Sequence, residues 1–233
     1  MLSKVLRAYF IRNGLKMSQR RLLGLAFGIF FLMSGCGHTP VTRTIFDAVP
    51  SLSKQNLDSF ILNPDLRYLR ITVQDRSILM VRGYTEQHTA GNIDVWYSSK
   101  GEVIRLQNGR IIGTAGLETD WLNVSYSSLP SWQSLVNLSS ATYYRERDQM
   151  PGYRFGIKES LAIYRTPPPT NSKMVKMVAN KFRWYEEASH KTSNKLPSAR
   201  FAIQNIDGVL QVAYGEQCLT DSYCLSWQLW PTP

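Results

Sequence analysis

Histidine and cysteine are scarce in this 233-residue sequence, three of each, and each scarcity narrows what the chain can do. His38, His88 and His190 lie in polar stretches without a cysteine or carboxylate at ligand spacing, a pattern that does not make a metal centre. There is no G-x-S-x-G, no H-E-x-x-H, no P-loop and no dinucleotide fingerprint, so the familiar hydrolase, metalloprotease and nucleotide-binding signatures are missing. Carboxylate neighbours occur at Glu118 with Asp120 and at Glu186 with Glu187, but glycoside hydrolysis needs two carboxyls held about 5 to 9 Å apart across a sugar. On a strand Glu186 and Glu187 point to opposite faces, and Glu118 and Asp120 follow a glycine-rich turn, so solvated charge is the expectation for all four. No catalytic residue, metal or cofactor is expected. No block of Lys and Arg occurs either. The formal charge of +10 is inflated by six basic residues among the first 35, and the remainder holds 21 basic against 17 acidic residues. An excess so mild is a poor basis for nucleic-acid binding, though it leaves contact with an anionic polymer or lipid headgroups open.

The longest apolar run, Leu22 to Met33, is also too short to span a bilayer, which takes roughly 20 residues. It follows Arg20 and Arg21 and ends at Ser34-Gly35-Cys36, the layout of a bacterial export signal. Leu32-Met33-Ser34-Gly35-Cys36 resembles the lipobox of bacterial lipoproteins, whose cysteine takes a diacylglycerol and becomes the mature N-terminus; the alternative is an uncleaved anchor with an incidental cysteine. Acyl chains at about 0.8 kcal/mol per buried methylene would tether the protein without making it span. Gly37, where inner-membrane lipoproteins typically carry aspartate, points to the outer membrane, facing the periplasm. The start is Met1 or Met17. Residues 1–35 are thus expected to be a lipoprotein signal peptide, 36–50 a lipidated tether, and 51–233 a single β-rich domain.

Assigning Cys36 to lipid leaves the even pair Cys218 and Cys224. Thr220-Asp221-Ser222 between them supplies turn chemistry, so a disulfide across a hairpin is expected in an oxidising compartment, against the alternative of two free thiols.

A short helix is predicted over residues 51–62, capped by Ser51 or Ser53 and stopped before Pro64. Beyond it the chain is β-branched and aromatic, with recurrent alternation and turn signals about every ten residues. RYLRITVQD, SILMVRGYT, IDVWYSS, EVIRLQ and WLNVSYSS read as strands, followed by ATYYRERD, YRFGIKESLAIYR, VKMVANKFRWYEEA, RFAIQNI, VLQVAYGE and CLSWQLW. Asn108-Gly109 and Asp207-Gly208 mark tight hairpins. SSLPSWQSLVNLSS reads as a loop with one helical turn, and RTPPPTNSK as a connector with a candidate boundary near Pro167–Pro169. The fold class is mainly β, an antiparallel barrel or sandwich with one or two short helices.

Six tryptophans and twelve tyrosines serve either a β core or sugar stacking. Trp96 and Trp184 are expected in the core, whereas Trp121, Trp132 and Trp230 lie nearer turns or the terminus and are balanced between the two.

The most distinctive stretch is GEVIRLQNGRIIGTAGL, residues 101–117. Asn108-Gly109 turns the chain, Arg110 starts a strand, and Gly113 and Gly116 leave bare backbone around Thr114, which permits close approach of another chain or a ligand. Arg110, Thr114 and Trp121 are the candidates for ligand or partner contact, with pairing to an internal carboxylate the competing role for Arg110. Together with Trp96 upstream and the lipobox, Gly109, Arg110, Ile111, Ile112, Thr114, Gly116 and Leu117 resemble the signature of the YjbF-type family, the group 4 capsule polysaccharide lipoproteins, also called GfcB-like or YmcC-like. The C-terminal region, with its cysteine pair, departs from that pattern. The resemblance implies a barrel-like antiparallel fold and a non-enzymatic accessory role in capsule or exopolysaccharide export, through contact with polysaccharide or with export proteins. A periplasmic glycan-processing enzyme and a structural envelope lipoprotein with protein partners only are the competing functions.

Overall fold

The structure, a computed structural model, describes Leu57, residues 60–190 and residues 195–231. Cys36, the tether and most of the helix predicted over 51–62 fall outside them; residues 60–62 are not helical.

Twelve strands follow in chain order: β1 Tyr68–Val73, β2 Arg76–Glu86, β3 Ile93–Tyr97, β4 Val103–Gln107, β5 Arg110–Ala115, β6 Asp120–Ser127, β7 Ser140–Met150, β8 Arg154–Thr166, β9 Arg183–Ser189, β10 Ala199–Ile206, β11 Val209–Cys218 and β12 Cys224–Trp230. Among the described residues one α-helix, α1 Trp132–Leu135, lies between β6 and β7. Strands adjacent in sequence pair antiparallel except β5 and β6, and β12 returns to β1 with Tyr68 opposite Trp230 and Val73 opposite Leu225. The sheet order begins at β5 and ends at β6, so among the described residues no ladder joins these two. The sheet is therefore a nearly closed antiparallel barrel, and its seam lies between two consecutive strands. This settles barrel over sandwich.

Alternation decides what points inward. Leu69 and Ile71 of β1 face Met80 and Ile78 of β2, and Leu225 and Trp227 of β12 complete that wall. The core runs on through Ile104, Ile111, Tyr143, Leu161, Ile163, Tyr185 and Phe201, each large side chain contributing on the order of 1.5–3 kcal/mol by leaving water. Twelve strands enclose more volume than aliphatic residues fill. Barrels wider than about eight strands carry a ligand cavity or channel unless long side chains occupy it, and here Trp121, Tyr143, Arg110, Arg145 and Arg147 do so, each at most 4% exposed.

The outer face is polar. It carries the ion pairs Arg82–Asp94, Arg105–Glu86, Lys158–Glu146 and Arg200–Glu216, which is incompatible with the outward apolar band of a membrane-spanning barrel. Among the described residues no helix is long and apolar enough to cross a membrane.

Two outward apolar clusters are exceptions, and both are covered. The strand read from VKMVANKFRWYEEA is real only over Arg183–Ser189. Its first half belongs instead to a crossover whose Met174, Ala179 and Phe182 pack on the outward Trp184, Ala202 and Tyr214, while Val175 packs against Tyr68, Leu79 and Trp230. The Val175 N–H donates to Gln228 Oε1 at 2.9 Å, and Gln228 Nε2 donates back to the Val175 carbonyl at 3.0 Å. Pro167–Pro169 mark no boundary, because the strands on either side, β8 and β9, are paired.

Candidate functional site

The charged interior is built from β7, β8 and β9, with Arg110 reaching in from β5. On β7 the inward frame Tyr143, Arg145, Arg147, Gln149 is buried throughout. On β8 the frame that buries Leu161 and Ile163 also buries Glu159, and on β9 the frame of Tyr185 buries Glu187. Glu159 Oε2 accepts from Arg145 Nε at 2.8 Å and from Arg147 Nε at 3.0 Å. Glu187 accepts from Arg145 Nη1 at 3.4 Å, from Arg110 Nε at 3.3 Å and from the Tyr143 hydroxyl. Glu187 is thus not solvated, contrary to expectation, because the strand frame carries it into the barrel where Arg110 and Arg145 neutralise it; Glu186 faces outward and accepts from Tyr164.

Burial pushes the Glu159 carboxyl up, but Arg145 and Arg147 together hold it below its ordinary value. Burial lifts the Tyr126 phenol to about 12, with Glu187 adding to it, and lifts Tyr143 well above its usual range. Burial disfavours the Arg110 charge, yet nearby Tyr143 and Glu187 raise its pKa overall.

Around the network lie aromatic faces. The Arg110 guanidinium carbon sits 4.0 Å from the Trp132 ring centroid, and Arg145 and Arg147 lie 4.8 and 5.0 Å from that of Trp121, distances at which cation–π attraction operates.

Trp121 is therefore no surface platform. It is fully buried, held by Arg145 and Arg147 and by its indole N–H donating to the Leu219 carbonyl at 3.1 Å. Thr114 also turns inward: its Oγ1 accepts from the Trp121 N–H at 3.0 Å and donates to Asp120 Oδ1 at 2.9 Å. The Asp120 carboxylate in turn accepts from the backbone of Gly116 and Leu117, so these residues brace the β5–β6 seam. At Gly113 the bare backbone leaves the Trp121 and Leu122 carbonyls of β6 within 3.7 Å of where a side chain would start. Arg110 pairs with an internal carboxylate, Glu187, one of the two roles open to it. The remaining tryptophans, Trp96, Trp132, Trp184, Trp227 and Trp230, are all buried too.

At one end of the barrel a cavity of about 350 Å³ opens where the β4–β5 and β10–β11 turns meet the crossover carrying α1. Asn108 and Gly109 both have positive φ, 50° and 74°, the backbone of a tight hairpin turn, and Asn108 ties the turn down. Its side chain donates to the Ala90 carbonyl at 3.0 Å, and its own carbonyl accepts from the Trp132 indole at 2.8 Å. Among the described residues no His, Cys, Asp or Glu cluster has metal-binding geometry. Cys218 and Cys224 are joined by a disulfide at the opposite end, directly across the β11–β12 hairpin.

The family model described as group 4 capsule polysaccharide lipoprotein gfcB, YjbF matches residues 51–209. The chain belongs to that family. The barrel is similar to the crystal structure of the hypothetical lipoprotein YmcC from Escherichia coli (K12), with a TM-score of 0.61 at 16% identity over 84% of this chain and 98% of that one. No curated protein matches it significantly. In this member of the family the stretch Gly109–Leu117 forms seam and turn. Gly109 makes the hairpin, Ile111 and Ile112 enter the core, and Thr114, Gly116 and Leu117 form the Asp120-braced corner.

Sequence reasoning missed Arg145, Arg147, Glu159 and Glu187. The signal was present in TYYRERDQM, where one frame of alternation selects Tyr143, Arg145, Arg147 and Gln149, and in ESLAI, where Glu159 shares a frame with Leu161 and Ile163.

Proposed function

We propose that this protein is an outer-membrane lipoprotein, anchored through Cys36 after removal of residues 1–35, that acts as a non-enzymatic accessory factor in capsule or exopolysaccharide secretion or assembly. Residues 36–50 act as the tether and 51–233 as the periplasm-facing domain, which binds glycan or export components. The observation that carries this reading is the match of residues 51–209 to a capsule polysaccharide lipoprotein family immediately downstream of the Leu32–Cys36 lipobox. The barrel geometry supports it. The polar outer face suits a domain held at a membrane by acyl chains, and the filled interior leaves no conduit for a polymer. Against a glycan-processing enzyme, both buried carboxylates are clamped by guanidinium groups. Glu159 moreover has its pKa pushed down, opposite to a general acid that must hold its proton near neutrality.

Deletion of the gene should reduce surface or secreted polysaccharide while synthesis continues. Wild type should restore it and Cys36→Ser should not, with mass spectrometry of the wild-type N-terminus showing acylated Cys36. Unchanged polysaccharide in the deletion strain would refute the role, and glycan cleavage by the purified protein, abolished by a carboxylate substitution, would replace it with the enzyme.

A further inference from the structure

The wall of the barrel-end cavity includes a buried polar group that the fold leaves unpaired. Arg110 forms part of its wall, and although Nε is bound to Glu187, Nη2 is buried without a hydrogen-bond partner. A buried donor left unpaired carries a desolvation cost that native structures rarely leave uncompensated. The interior charge is also unbalanced, since the buried charged residues are Arg110, Arg145 and Arg147 against Glu159 and Glu187. No acidic residue lines the cavity. Asn108, Ser131 and Gln133 bring neutral donors and acceptors, while Pro130, Val209 and Leu210 supply an apolar wall. A volume of about 350 Å³ falls within the range of small-molecule sites.

We propose that this cavity binds a carboxylate-bearing sugar residue, the carboxylate paired with Arg110 and the hydroxyls with Asn108, Ser131 and Gln133. The assignment rests on the capsule role proposed above and names the chemistry of the glycan recognised. A guanidinium fork matches a carboxylate in shape as well as charge, and one more anion at Arg110 balances the interior. Arg110 is only 1% exposed, so the sugar reaches it by displacing the Trp132 ring that lies over it. That ring belongs to a four-residue helix in a surface crossover and is fastened by its indole N–H to the Asn108 carbonyl.

The test uses the acylated full-length protein in detergent micelles, titrated with trigalacturonate, with neutral galactotriose and with inorganic phosphate. Saturable binding of trigalacturonate is expected, with no measurable binding of the neutral trimer. Arg110→Lys keeps the charge but loses the fork and should weaken binding roughly tenfold or more. Gln133→Trp, at an exposed position on the rim, should block the mouth and abolish binding without disturbing the interior. Absence of trigalacturonate binding, equal affinity for galactotriose, displacement by equimolar phosphate, or full binding by Gln133→Trp would each overturn the proposal. If the protein binds no trigalacturonate while the deletion strain still loses polysaccharide, the cavity assignment fails and the accessory role stands; unchanged polysaccharide on deletion removes the role itself.

Discussion

Glu159→Gln perturbs the interior where it is most sensitive. The Glu159 side chain is 0% exposed and accepts from both Arg145 and Arg147. Arg145 retains Glu187 at 3.4 Å, but Arg147 is left with only the neutral Gln149. Breaking a buried ion pair by removing one partner costs about 3–5 kcal/mol, because the remaining charge stays desolvated. Against a total stability of about 5–15 kcal/mol that is a large fraction, equivalent in a domain of this size to a melting-temperature loss of roughly 6–20 °C. Urea unfolding followed by tryptophan fluorescence measures it, since Trp121 lies against both arginines. Adding Arg147→Met should recover much of the loss by removing the orphaned charge, and a double-mutant cycle isolates the coupling. Acid gives an independent check. The folded-state pKa of Glu159 is depressed, so its stabilisation is complete above its unfolded value of about 4.3 and lost as pH falls through the lower folded value. The gap between wild type and Glu159→Gln should therefore close on acidification below about pH 4. A loss under about 1 kcal/mol, the size of an exposed pair, or a gap unchanged by acid, would refute the reasoning.

Gly109→Ala should destabilise the domain by several kcal/mol, because φ is 74° and the added methyl would overlap Val212; thermal unfolding within about 1 kcal/mol of wild type would contradict the assigned turn. Burial, aided by neighbouring acids and phenols, raises Tyr97 and Tyr126 to about 12 and lifts Tyr143 and Tyr214 further. Raised folded pKa values give stability that is complete below about pH 10 and lost as pH rises through the folded values. Base unfolding is therefore expected between about pH 10 and 12, tracked by phenolate absorbance, with a shallower pH dependence in Tyr126→Phe. Replacing Cys218 and Cys224 together by Ser should cost only about 2 kcal/mol, as the loop they close is short, and thiol labelling of the denatured wild-type protein should find neither cysteine free.

Much of the barrel was legible in the sequence because a sheet with one wet face must alternate, and a slip of one residue would expose its whole core set. Asn108-Gly109 and Asp207-Gly208 fixed two hairpins for the same kind of reason, since few other residues adopt their backbone cheaply. VKMVANKFRWYEEA misled because an apolar residue reads the same whether it sits in a strand or caps the outside of one. Val175, Ala179 and Phe182 cover outward-facing aromatics on the barrel wall. The interior charges were hidden by a sounder rule. Arg and Glu are rarely fully buried unless paired, and Glu187, which pairs with both Arg110 and Arg145, lies 77 and 42 residues from them, beyond any local pattern. What forces them inward is circumference. Closing twelve strands opens a space that branched aliphatic side chains leave unfilled, and long planar groups fill it. The Arg110 stem reaches from β5 to Glu187 of β9, the guanidinium faces lie on Trp121 and Trp132, and the carboxylates of Glu159 and Glu187 follow because three buried cations cannot stand without them. Trp121 and Trp132 are consequently buried although they sit near turns, and the same geometry leaves Arg110 one donor in excess where the interior meets the barrel-end cavity.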